Sequence, residues 1–161
     1  MCYIERVGSG RAEQTYMSKS LTPDNERVRQ QLCELRDPLL RLHKALVDSE
    51  RIFYEKTLGP IGSPQHFLQL LAGDPWFAWL RPLSELIVTM DVVLEAKTPH
   101  PTSALEALVR RGQQLLVPAE MAGDGGEEGF AGHYYEALQR DPEVVLAHGE
   151  VVRVRRSRPA K

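Results

Sequence analysis

The 161-residue chain predicts an all-α fold: a helical bundle of four main helices with shorter accessory ones. Three observations carry that expectation. Capping side chains stand directly before prolines at Thr22-Pro23, Asp37-Pro38, Ser63-Pro64, Asp74-Pro75 and Asp141-Pro142, and the pair suits a helix start because a proline's missing N–H costs nothing in the first turn. Between these points leucines, valines and aromatics recur at three- and four-residue spacing, the period of a helix face. Strand-like alternation does not survive anywhere, and stops are equally legible at Gly59-Pro60, Gly73, Thr98-Pro99-His100-Pro101 and Pro118.

Residues 1–21 lack a sustained period and include Gly8 and Gly10, which predicts a flexible N-terminal tail; Met17 is an alternative start. A single helical-bundle domain is expected over 22–156, followed by a basic tail at 157–161. Within the domain a polar helix spans 23–36 and either continues or kinks at Pro38 into 38–58. Short helix 64–72 follows, then a long helix 75–97, which Pro82 bends or restarts because a proline inside a helix removes one backbone bond. Further helices are predicted at about 103–117, 130–140 and 142–156, with the glycine-rich loop MAGDGGEEG before the penultimate one.

The run Trp76-Phe77-Ala78-Trp79 raises the choice between a ligand surface and a packing device. At helical spacing Trp79 shares a face with Leu83, Leu86, Met90, Val93 and Leu94, so it is assigned to the core. Trp76 and Phe77 are expected to cover the end of the bundle and meet the short preceding helix. Val88 and Val92 fall on the back of the same helix, where they are either covered from a second side or form a dimer seam.

Polar residues interrupt the apolar stripes in an informative way. Helix 38–58 repeats apolar positions at Leu39, Leu42, Leu46 and Phe53, and His43 and Glu50, nearly in line, project between Leu39, Leu46, Val47 and Tyr54; they are too far apart to bond each other, so their partners should come from other helices. His148 is bracketed by Val144, Val145, Val151 and Val152. Asp91 and Glu95 sit four apart at the edge of the central helix's apolar face, where two carboxylates repel unless Arg51, Arg81, a histidine or a metal stands nearby. One reading makes His43, Glu50, Asp91 and His148 a carboxylate-histidine metal site for Fe, Mn or Zn inside the bundle. The favoured reading is a hydrogen-bonded network that fixes helix register, with no cofactor, because no Glu-x-x-His or His-x-x-x-His pair is present and His133-x-x-Glu136 is a single weak match.

Composition excludes other classes. With 20 Lys+Arg against 22 Asp+Glu, 42% hydrophobic and 26% charged residues, the chain has no global field for nucleic acid or lipid. The longest apolar run, Leu86 to Leu94, is interrupted by Thr89 and Asp91 and is far shorter than the roughly 20 residues of a membrane span. The start carries Glu5 and Arg6 and no apolar block, so a secretory signal is not expected and the expected compartment is cytoplasmic. Cys2 and Cys33 match no metal or CxxC spacing and are expected to be free thiols. The glycines of GDGGEEG are followed by no GK[ST], and Glu127 and Glu128 would repel phosphate. Arg153, Arg155, Arg156, Arg158 and Lys161 crowd the C-terminus with no aromatic among them; they read first as cations matched to a helix end and second as a nucleic-acid contact.

The runs LHKALVDSERIFYEK, SPQHFLQLLAGDPWFAWLRPLSELIV and ALQRDPEVVLAH resemble a group of small uncharacterised bacterial all-helical proteins over about residues 30–152. The resemblance implies a bacterial, cytoplasmic origin and brings no activity or ligand residues. The leading functional expectation is therefore a non-enzymatic protein-interaction or scaffolding domain, with a protein partner or self-association through Val88, Val92 or the aromatic cap.

Overall fold

The computed structural model describes residues 22–116 and 129–156. The expected N-terminal tail, Pro118, the glycine-rich loop before Gly129 and the basic tail at 157–161 lie outside the described residues. Among those described, all regular structure is helical: α1 (Pro23–Leu58), α2 (Pro64–Gly73), a 3-10 helix (Pro75–Leu80), α3 (Arg81–Glu95), α4 (Thr102–Leu115), α5 (Phe130–Arg140) and α6 (Pro142–Arg156).

The predicted starts use their capping side chains. Thr22 Oγ1 accepts from Asn25 N at 3.3 Å, Ser63 Oγ from His66 N at 3.1 Å, Asp74 Oδ1 from Trp76 N at 2.8 Å and Asp141 Oδ1 from Glu143 N at 2.9 Å. Each satisfies a backbone donor that the first helical turn leaves without an internal partner. Asp37-Pro38 behaves differently, because α1 runs unbroken through Pro38 for 36 residues. Leu32, Leu35, Leu39, Leu42 and Leu46 form one buried stripe across the proline, and burying that stripe on a common core outweighs one lost backbone bond. Helix α1 ends at Gly59, whose φ of 106° is a conformation that favours glycine.

The expected long helix 75–97 is two elements. A 3-10 helix carries the aromatic run, and α3 restarts at Arg81 with Pro82 in its first turn, where the absent N–H breaks no bond. Phe77, Trp79, Leu80, Leu83, Leu86, Ile87, Met90 and Val93 are all buried, so the core assignment of Trp79 holds across the junction.

Helix α1 is the element around which the others pack. Helix α6 makes the most extensive contact with it and runs antiparallel, Arg41 Nε meeting Glu150 Oε2 at 2.7 Å. Helix α4 approaches through Gly112: a Cβ there would stand 3.3 Å from Leu35 Cδ2 and 3.5 Å from Met90 Cε, so hydrogen is what lets this helix come close. Asn25, buried, donates from its side-chain amide to His100 O at 2.8 Å and to Thr102 Oγ1 at 3.1 Å, which pins the connection from α3 into α4. The guanidinium of Arg29 donates to the carbonyls of Val93 and Leu94, satisfying acceptors that the C-terminus of α3 leaves open. Among the described residues no helix is long and apolar enough to cross a membrane.

Candidate functional site

The four polar residues singled out from the sequence are held in separate places. Asp91 receives a bidentate contact from Arg36, Nε to Oδ1 at 2.6 Å and Nη2 to Oδ2 at 3.2 Å, while Arg36 Nη1 also reaches Asp37 Oδ1 at 2.9 Å. Those two carboxylates push the Arg36 pKa upward. Glu50 is buried and pairs with Arg140 Nη2. Arg140 also donates from Nε to Ser49 Oγ at 3.4 Å and lies 4.4 Å from the centroid of Phe53, so its charge meets a carboxylate, a hydroxyl and an aromatic face at once.

His148 Nδ1 and the Tyr134 hydroxyl are 2.6 Å apart. Burial raises the Tyr134 pKa, while burial and then the nearby Arg155 charge lower that of His148. Tyr134 and His148 are therefore a neutral phenol and a neutral imidazole that share one hydrogen bond. His43 is partly buried on α1, seven residues beyond Arg36 and on the same side of the helix. Burial alone lowers its pKa. Among the described residues no three His, Cys, Asp or Glu side chains lie close enough to hold a metal ion together.

Periodicity identified which helix face Asp91 and Glu50 occupy but not what they meet. Arg36 and Arg140, the two cations that pair with them, carried no signal of their own in the sequence, because their positions are ordinary polar ones until the helices are docked. Cys33 also departs from expectation: it is disulfide-bonded and not a free thiol. Spacing along a chain does not report closeness in space, which is what pairing requires. The other cysteine in the sequence, Cys2, lies outside the described residues.

The aromatic run is a packing device on two sides. Trp76 packs against Phe53 at 5.6 Å and edge-on to Tyr54 at 5.5 Å; Phe77 meets Tyr54 at 5.4 Å and Phe67 of α2 at 5.8 Å. Trp79 stacks on His133 at 5.3 Å and tilts against Phe130 at 5.7 Å. Phe53, expected in the buried stripe, lies instead toward the surface between Trp76 and Arg140. Both indole N–H groups are buried without a hydrogen-bond acceptor, so their rings are held by packing and not by polar anchoring.

Exposed aliphatic side chains also flank the Arg36–Asp91 contact between α1 and α3. Arg36 and Asp91 fix the register of these antiparallel helices, and one turn onward along α1 is Leu40 while one turn back along α3 is Val88. Each therefore stands about one helical turn from the Arg36–Asp91 contact. Leu40 is 42% exposed, Val88 60% and Val92, one turn from Val88, 62%. Val88 and Val92, one turn apart, form an exposed aliphatic pair on the outer side of α3, whereas isolated exposed aliphatics are ordinary on any surface. Arg81 and Glu95 are exposed at the two ends of the same α3 face. No protein-family model, curated protein or solved structure matches the chain.

Proposed function

We propose that this chain is a non-enzymatic protein-interaction domain whose contact face is the strip formed by Leu40 of α1 with Val88 and Val92 of α3. What supports the reading is the exposed Val88–Val92 pair, one turn apart on α3, with Leu40 exposed about one turn from the Arg36–Asp91 contact on α1. A rigid, preset apolar strip lowers the ordering cost of binding. In this reading α1, α3, α4 and α6 are the four main helices of the bundle, and the polar residues within it set register and orientation.

The metal-binding alternative gains no support from a set of carboxylates and imidazoles that engage Arg36, Arg140 and Tyr134 separately. For the nucleic-acid alternative, Arg155 is already close enough to His148 and Tyr134 to perturb both, which favours a role within the domain. A cytoplasmic location belongs to the proposal as well, and the disulfide at Cys33 counts against it, since disulfides persist mainly in oxidising compartments.

The test is site-specific photo-crosslinking in the native host. A photoreactive residue at Val88 or Leu40 is expected to capture protein, whether another chain or a copy of this one, while the same group at Glu106, exposed on α4, captures none. Equal capture at all three positions, or none at Val88 and Leu40, overturns the assignment of this face.

A further inference from the structure

We infer that the occupant of this face is a second copy of the same chain, docked antiparallel along α3 with its two-fold axis at Val88. The inference rests on the interaction reading above and adds the identity of the partner. Arg81 stands seven residues before Val88 and Glu95 seven after it, so both share Val88's side of the helix at about 10.5 Å on either side. Both are exposed, and neither forms an ion pair with another described residue.

A two-fold interface is isologous: if one residue meets a second across the axis, the second meets the first. An axis at Val88 sets Arg81 of each copy against Glu95 of the other, twice, with Val88 against its own counterpart between them. A face that carries one cation and one anion at equal and opposite distances from an aliphatic centre is complementary to itself, and such complementarity selects partner and register more than it adds affinity. Val92, one turn on from Val88 and exposed, extends the apolar centre along α3. Helix α3 is only about 22 Å long, so the interface falls among the small, transient class below about 1,200 Å² in total, and a micromolar dimer is expected.

Sedimentation equilibrium from about 1 to 500 µM, a range that brackets micromolar dissociation, tests the geometry with Cys33 kept oxidised. Arg81→Glu sets like charges together at both ends of the seam, as does Glu95→Arg, and each homodimer is expected to weaken about tenfold. Mixed together, the two variants restore both opposite-charge pairs, and the heterodimer is expected to form within about threefold of the wild-type constant. A wild type that stays monomeric throughout overturns the dimer; crosslinking from Val88 to a different protein then still supports the interaction face. Single variants that associate like wild type, or a mixture that fails to recover, overturn the two-fold axis at Val88.

Discussion

The Arg36 guanidinium grips both carboxylate oxygens of Asp91, at 2.6 and 3.2 Å, and with Arg29 on the Val93 and Leu94 carbonyls it ties α1 to α3. Both side chains are only partly exposed, 23% and 35%, and the pairing is bidentate, so it is worth more than a fully exposed ion pair. Asp91→Ala is expected to lower unfolding free energy by about 1–2 kcal/mol in urea titration; a change near zero would show that the register is set by apolar packing alone.

A larger loss is expected at the buried pair. Glu50 is almost wholly enclosed, and Glu50→Ala leaves the Arg140 charge with only Ser49 and the face of Phe53. A cost of about 2–4 kcal/mol is expected, smaller for Glu50→Gln, which keeps an acceptor. Equal costs for the two variants would mean that the hydrogen bond contributes nothing.

Trp79→Ala should cost about 3–5 kcal/mol, as for other buried large aromatics. Because its indole N–H has no acceptor, Trp79→Phe removes no hydrogen bond and should cost well under half as much. If calorimetry finds both substitutions equally damaging, a polar anchor at the indole must exist.

Much of this architecture is legible before any coordinates. Thr22, Ser63, Asp74 and Asp141 announce their helices because a cap is a local device, settled within three residues. Asp37-Pro38 carries the same signal and yields no start, since the choice there belongs to the leucines that α1 buries against distant helices. For the same reason the outward faces of Val88 and Val92 follow from helical period, whereas which part of α1 stands nearest them depends on how α1 docks on α3. The inward turn of Glu50 and His148 is likewise local; their meetings with Arg140 and Tyr134 are not.

Acid should weaken the fold through two imidazoles. His43 and His148 both titrate below their ordinary value of 6.5 in the folded chain, chiefly because burial disfavours the charged ring. Well above pH 6.5 both are neutral whether folded or not and contribute no slope. As pH falls below that point the unfolded chain takes up protons first, so stability declines and levels off only beneath the folded-state values. Urea midpoints at about pH 7.5 and about pH 5 should differ in that direction, and less so in a His43→Gln, His148→Gln variant. Identical pH dependence in wild type and variant would place the acid sensitivity elsewhere.

The claim that the Leu40–Val88–Val92 strip is a contact surface meets its most direct test in light scattering of the wild type against Val88→Glu over the same micromolar concentrations. Val88 is exposed, so the substitution should leave helical content unchanged. The wild-type apparent mass is expected to rise with concentration toward two chains while Val88→Glu stays at one. Equal masses for the two proteins at every concentration would contradict self-association through this face.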